Sequence, residues 1–223
     1  MTTDRSIIVD SLGVGLATGA YGVSFGAIST ASGLSVLQTC LISLLVFTGA
    51  SQFAFVGIVA SGGNPLTGAL TAVLLGSRNL FYGVSMAPRL DLDPAARLAT
   101  AHFVIDESTA MGVTRDTRRQ ARLAFYWTGI SIFVLWNLTT FAGALAGDAI
   151  GDPRTYGLDA AVGAAFLGLL WPRLRQLQPV VVAIGAAAVA AALLPFVPAG
   201  IPVLAAAVVA VVVGLTNWWG KRP

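Results

Sequence analysis

Residues 11–77 read SLGVGLATGAYGVSFGAISTASGLSVLQTCLISLLVFTGASQFAFVGIVASGGNPLTGALTAVLLGS, without one Asp, Glu, Lys or Arg, and the run ends at Arg78 inside sequence that is still apolar. A helix needs about 20 apolar residues to cross the hydrocarbon core of a bilayer, so the stretch has room for three crossings. A soluble domain cannot hide it, because a surface helix keeps one face wet. The chain is read as an all-α, polytopic integral membrane protein, a single transmembrane domain over residues 1–223 embedded in the lipid bilayer.

Composition agrees. Hydrophobic residues make up 56% of the chain and charged ones 10%, against roughly 25% charged in soluble domains. The 25 glycines suit helices that pack backbone to backbone in lipid. Cys40 is the single cysteine and His102 the single histidine, so no internal disulfide, metal cluster or Ser/His/Asp triad is expected. No Gly-Lys-Ser/Thr follows a glycine-rich loop, which excludes an ATP-driven motor. The cluster Arg115, Arg118, Arg119 and Arg122 is short and close to the membrane. It reads as a head-group anchor, and no nucleic-acid partner, cofactor or metal is expected. Trp171 and Trp218-Trp219 read as interfacial belt residues. Acids flank the short apolar patch before Ser11, and no basic leader precedes it, so a cleavable signal peptide is not expected.

Apolar runs between Gly, Pro and charge clusters predict helices at about 11–31, 35–60, 65–87, 120–147, 158–171, 176–196 and 199–219. An eighth segment, about 95–113, carries Arg97, His102, Asp106 and Glu107 and would cross only with shielding. With Arg78 set aside, seven spans and the N-terminus outside leave ten basic residues inside and two, Arg5 and Arg154, outside. Eight spans leave nine and three. Seven spans with 95–113 dipping in or lying at the cytoplasmic face is the preferred arrangement. Gly49–Ala60 resembles Ala160–Leu170, and each is followed by a turn and a proline. This suggests an inverted repeat with broken helices, its halves at about 11–113 and 120–219.

Few residues in these spans can carry chemistry. Gly15, Gly19, Gly22 and Gly26 share one helix face, which serves either close packing or backbone approach to a solute. Ser51 and Gln52 sit deep in an apolar run; the amide needs partners there, from another helix or from a ligand. Arg78 calls for an acid, Asp106, Glu107 or Asp159, or for the carboxylate of a substrate, which guanidinium matches in a bidentate fork. Asp106 and Glu107 are either solvated interfacial acids or proton carriers. Asp159 opens a helix, as a cap or as a partner of its dipole.

The order of these features resembles the AzlC family, the large subunit of two-subunit branched-chain amino-acid exporters. The matching residues are Gly22-x-x-Phe25-Gly26, Ser32-Gly33-Leu34-Ser35, Ser43 through Phe53 (SLLVFTGASQF), Arg78-x-Leu80-x-Tyr82-Gly83, Asp106-Glu107-Ser108, and Leu158-Asp159-Ala160-Ala161 with Phe166-Leu167. Relatives often carry Asn two positions before the arginine and His after it, where this chain has Gly76 and Asn79. The resemblance implies export of valine, leucine, isoleucine or methionine across a bacterial inner membrane, with a small AzlD-like subunit as partner.

The expected activity is therefore secondary, proton-coupled export of a neutral amino acid, not an enzymatic reaction. Gly22, Gly26, Ser51, Gln52, Arg78, Asn79 and Tyr82 are the candidate substrate-binding residues. Asp106, Glu107 and Asp159 are the candidates for proton coupling. A passive channel for small polar solutes, or a scaffold subunit, are the competing classes.

Overall fold

The computed structural model describes residues 3–150, 174–198 and 200–216, with Leu167, Leu170 and Trp171. Among these the secondary structure is helical throughout. Asp159, the 158–171 helix as a whole, the later repeat segment and Trp218-Trp219 lie outside the described residues.

Three long rods set the frame. α1 (Asp4–Ala20) and α2 (Gly22–Ala31) are joined at Tyr21, which keeps helical torsions of φ −64° and ψ −20°. α5 (Pro65–Gly76) and α6 (Arg78–Leu90) are joined in the same way at Ser77, with φ −58° and ψ −23°. The third rod will be numbered α9 and spans Arg118–Ile150. At 1.5 Å per residue the rods measure about 40–50 Å, enough to cross a core of about 30 Å.

Between the rods lie four half-length helices, α3 (Val36–Leu45), α4 (Ala50–Ala60), α7 (Pro94–Ala101) and α8 (Asp106–Val113). Each is about 12–17 Å long, half the thickness of the core. α10 (Leu177–Leu193) and α11 (Ile201–Thr216) pack on each other. Gly200, just before α11, meets Thr67 and Ile58.

The glycine face of the first rod packs against α9. A Cβ at Gly15 would strike Ser131, at Gly19 Leu135, at Gly22 Thr139, and at Gly26 the carbonyl of Thr140. From the other side, Gly143 meets Val23 and Gly147 meets Ala27. Asp4 pairs with Arg119, and Thr139 Oγ1 donates to the Gly19 carbonyl at 2.5 Å. Residue numbers rise together along this seam, so the two rods run parallel. Gly22 and Gly26 are thus filled by α9 backbone, which corrects the reading that places them against a solute.

The single helix expected over 35–60 is instead two. α3 descends beside α9, with Ser43 near Thr140 and Phe47 against Phe133. The chain reverses at Val46–Gly49, and α4 returns antiparallel to α5, with Ser51 beside Gly76 and Phe55 against Gly68. Gly49 makes the reversal possible, because its φ of 62° and ψ of −88° suit glycine alone. A helix of continuous hydrophobicity and a hairpin that enters and leaves by the same side share one composition, which is why the run reads as one span.

Residues 94–113 form a second hairpin from the opposite end. α7 rises beside α9, with Thr100 bonded to Tyr126 at 2.8 Å and Phe103 against Phe133. α8 then returns, with Gly112 beside Phe125 and Met86.

The two hairpins share their local chemistry. Gly33 (φ 92°), Leu34 and the N-cap Ser35 lead into α3; Asp91 (φ 44°), Leu92 and the N-cap Asp93 lead into α7. At the tips, Gln52 Oε1 accepts from the Gly49 amide and Ser108 Oγ from the Ile105 amide, each at 3.1 Å. Phe47 and Phe103 stand in equivalent places, both packed on Phe133. Residues 4–60 and 65–113 are therefore each a rod followed by a hairpin, and they run in opposite directions. This inverted relation falls wholly within the first of the halves drawn from sequence.

Arg5, Arg89, Arg97, Arg115, Arg118, Arg119 and Arg122 gather at the end of the rods where α1 and α9 begin. Arg118 pairs there with Asp91, and Arg122 donates to the carbonyls of Leu90 and Asp91. Arg78 is the one arginine of residues 3–150 held at mid-height.

Candidate functional site

The joints of the first two rods and the tips of the two hairpins come to the same level. Tyr21, Arg78 and Trp136 mark the middle of the three rods, and the hairpins meet between them. A cavity of about 370 Å³ opens there, lined by Thr18, Tyr21, Phe47–Ala50, Phe53, Arg78, Ile105–Glu107, Ile132 and Trp136. That volume lies in the usual range for small-molecule sites, about 300–1,000 Å³.

One wall is aromatic. Phe25 stacks on Trp136 at 6.1 Å, and Phe53 meets both rings edge-on at 5.6 and 6.3 Å. These rings belong to a fully buried cluster with Ile28, Val56 and Ile132. Such packing fixes the indole in place without any polar contact.

The opposite wall is charged. Arg78 Nη1 lies 3.0 Å from Asp106 Oδ2, with both side chains about a quarter exposed. Asp106 and Glu107 occupy the first turn of α8, where the helix macrodipole favours negative charge. One arm of the guanidinium is thus taken by an acid of this chain, while the buried Nε has no hydrogen-bond acceptor among the described residues. Among the described residues there is no group of three or more His, Cys, Asp or Glu placed to hold a metal.

The remaining candidates support the tips from behind. Gln52 is fully buried; its Oε1 accepts from Gly49 and its Nε2 donates to the Ile42 carbonyl at 3.3 Å, tying α4 to the end of α3. Ser51 is buried against Gly76 on α5. Tyr82 packs beside Met86, Leu90, Val104 and Phe125, away from the cavity. Asn79 is half-buried next to Arg78 and does not line the cavity. His102 sits among Phe47, Phe103 and Phe133 in an aromatic cluster.

Of the sequence candidates, the structure brings Arg78, Asp106 and Glu107 together at the cavity. It keeps Gly22, Gly26, Ser51, Gln52, Asn79 and Tyr82 off its walls. Thr18, Thr48, Ile132 and Trp136 line the cavity and carry no sequence signal strong enough to find them; Tyr21, which lies beside the glycine stripe and could be expected to face a cavity, does so, and Ser24 does not. The nearest was Thr48, one residue before the glycine of the break.

Residues 13–150 match the protein family described as AzlC protein. The chain is 25% identical over 149 residues to the branched-chain amino acid transport protein AzlC of Bacillus subtilis (strain 168). That match covers 66% of this chain and 58% of the relative, so the chain spans under two thirds of that protein's length. It is 27% identical over 180 residues to the inner membrane protein YgaZ of Escherichia coli (strain K12), covering 76% of this chain and 72% of the other. It is 29% identical over 154 residues to an uncharacterized membrane protein of Archaeoglobus fulgidus, covering 68% and 67%. No solved structure matches. The matched span runs from the glycine seam of the first rod to the end of α9 and contains every residue of the cavity, and the chain belongs to the AzlC family.

Proposed function

We propose that this chain is the transport subunit of a secondary exporter of branched-chain and related neutral amino acids, coupled to protons and working with a small AzlD-like subunit in a bacterial inner membrane. The observation that carries the reading is the mid-height cavity where two hairpins of opposite direction meet. Transporters built on inverted repeats hold their substrate at such a place, between broken helices. Rocking one rod-and-hairpin unit against the other would open the cavity to alternate sides.

The cavity suits a zwitterion with an apolar side chain. Phe47, Phe53, Ile132 and Trp136 offer an apolar surface, and the carboxylates of Asp106 and Glu107 attract an ammonium. Protonation of either acid would weaken that attraction, linking release of the substrate to a proton gradient. Similarity to a branched-chain amino acid transport protein supports the substrate class.

Arginines set the orientation. Basic residues accumulate on the cytoplasmic side, so the end carrying Arg5, Arg89 and the Arg115–Arg122 cluster faces the cytoplasm; because Asp4 pairs with Arg119, the N-terminus then lies inside, against the seven-span arrangement that puts Arg5 outside. The α3–α4 hairpin then enters from outside and the α7–α8 hairpin from inside.

Efflux of labelled valine from preloaded proteoliposomes, with and without an AzlD-like subunit and an imposed proton gradient, tests the proposal. Gradient-sensitive efflux that needs the second subunit is expected. Efflux that follows the solute gradient alone would make the chain a passive channel. No efflux of valine, leucine, isoleucine or methionine from correctly inserted protein would remove the substrate class.

A further inference from the structure

The two hairpin tips place helix N-termini in one cavity, and they differ in what satisfies them. The α8 start carries Asp106 and Glu107. The α4 start carries no acid in its first turn. A helix leaves its first amide groups without intrahelical acceptors, and those amides with the macrodipole favour an anion. At α4 the Gly49 amide is taken by Gln52, which leaves Ala50 and Ser51 as the donors of the first turn.

Two side-chain atoms on the same wall point independently to a ligand. Trp136 is 4% exposed and lines the cavity, yet its Nε1–H finds no acceptor in the protein. Thr48, the residue before Gly49, lines the cavity with its Oγ1 buried and equally without a partner. Buried polar atoms in native proteins are nearly all satisfied, so two without a protein partner, beside a helix start whose first amides also lack one, point to a common acceptor. The macrodipole at the start of α4 favours an anion there, and the planar oxygens of a carboxylate suit converging N–H and O–H donors.

We propose that the start of α4, the Trp136 indole N–H and the Thr48 hydroxyl form a carboxylate subsite, facing the Asp106–Glu107 wall that takes the ammonium. The assignment rests on the amino-acid reading for its substrate. It explains why Arg78 can remain paired with Asp106: the carboxylate is held by neutral donors elsewhere in the cavity. It also orders selectivity, because an amine without a carboxylate would engage only the acidic wall.

Binding to purified wild-type protein, Trp136→Phe and Thr48→Val is measured with three probes. These are leucine, 4-methylpentanoate (carboxylate without amine) and 3-methylbutylamine (amine without carboxylate). Trp136→Phe keeps an aromatic ring on Phe25 and removes the donor along with part of the indole's packing; Thr48→Val keeps the shape and removes the hydroxyl. Losing a hydrogen bond to a charged group should weaken leucine and 4-methylpentanoate about tenfold or more in each variant. Binding of 3-methylbutylamine should not change. Thr48→Val removes no hydrogen bond of the free protein and should keep its thermal stability. Trp136→Phe also loses indole packing on Phe25 and Phe53 and should melt lower, so its effect is read as the difference between the carboxylate probes and 3-methylbutylamine.

Equal weakening of all three probes, or of none, overturns the subsite. Wild-type protein that ignores leucine yet binds 4-methylpentanoate in a Trp136-dependent way upholds the subsite and sinks the amino-acid reading. Protein that binds neither carboxylate sinks both.

Discussion

The α3–α4 and α7–α8 hairpins are the same device built twice from unlike sequences. Each enters through a left-handed residue, a leucine and a capping side chain, and each is locked at its tip by a side chain three residues into the second arm. They differ at the tip itself. The first turns through Phe47-Thr48-Gly49-Ala50, with a strained backbone and no charge; the second turns through Phe103-Val104-Ile105-Asp106-Glu107, with extended backbone and two acids. The comparison teaches that local caps specify the scaffold, while the one or two residues at the point of reversal specify what the scaffold can hold.

Replacing the acid is the harshest way to break this pairing. Asp106→Asn should abolish gradient-dependent efflux and leave Arg78 without its ion-pair partner. The stability loss should be about 2–3 kcal/mol, below the ~3–5 kcal/mol of a fully buried pair because both groups are partly exposed. Adding Arg78→Gln should restore much of the thermal stability but none of the efflux; efflux returning in the double variant would remove Asp106 from the mechanism.

Gly49→Ala comes next. A Cβ there meets open space, so the cost comes from the torsions alone, about 1–3 kcal/mol. Ile105→Val at the equivalent tip, where φ is −127°, should cost only about 1 kcal/mol through lost packing. Thermal melts that rank the two the other way would show that the tips are not held as described.

The tip locks allow a finer comparison. Gln52→Leu leaves the Gly49 amide unpaired, and Ser108→Ala removes the hydroxyl that accepts from the Ile105 amide and donates to the Phe103 carbonyl; each should cost about 1–2 kcal/mol. Similar losses would sharpen the equivalence of the hairpins, whereas a silent Ser108→Ala would break it. The smallest effect is expected at the cytoplasmic end. Arg119→Gln removes an exposed pair with Asp4 and should shift stability by no more than about 0.5 kcal/mol in the same melts.

The rods were legible because length and hydrophobicity are properties of a run of residues. Helices expected at 11–31, 65–87 and 120–147 fall within α1–α2, α5–α6 and α9. Arg78, Asp106 and Glu107 were legible because charge in an apolar run is costly wherever the chain goes. The hairpins were not, since reversal depends on the torsions of Gly49 and on which neighbour α4 meets. Trp136 was invisible for a related reason: one indole among five tryptophans says nothing of whether its N–H has a partner. Gly22 and Gly26 left packing and approach to a solute both open, because a bare helix face announces close approach without naming what approaches.

The parallel seam between the first rod and α9 has a consequence for how the protein is made. Asp4 and Arg119 are separated by 115 positions in the chain. At about 5–20 residues per second, synthesis takes on the order of ten seconds to supply the second strip of the seam after the first has left the ribosome. During that interval the glycine face of α1–α2 has no backbone to lie against, and an insertion factor or surrounding lipid must occupy it. Birth order therefore keeps the first rod waiting for its companion, so a larger residue at Gly26 would be felt during biogenesis as well as in the finished protein.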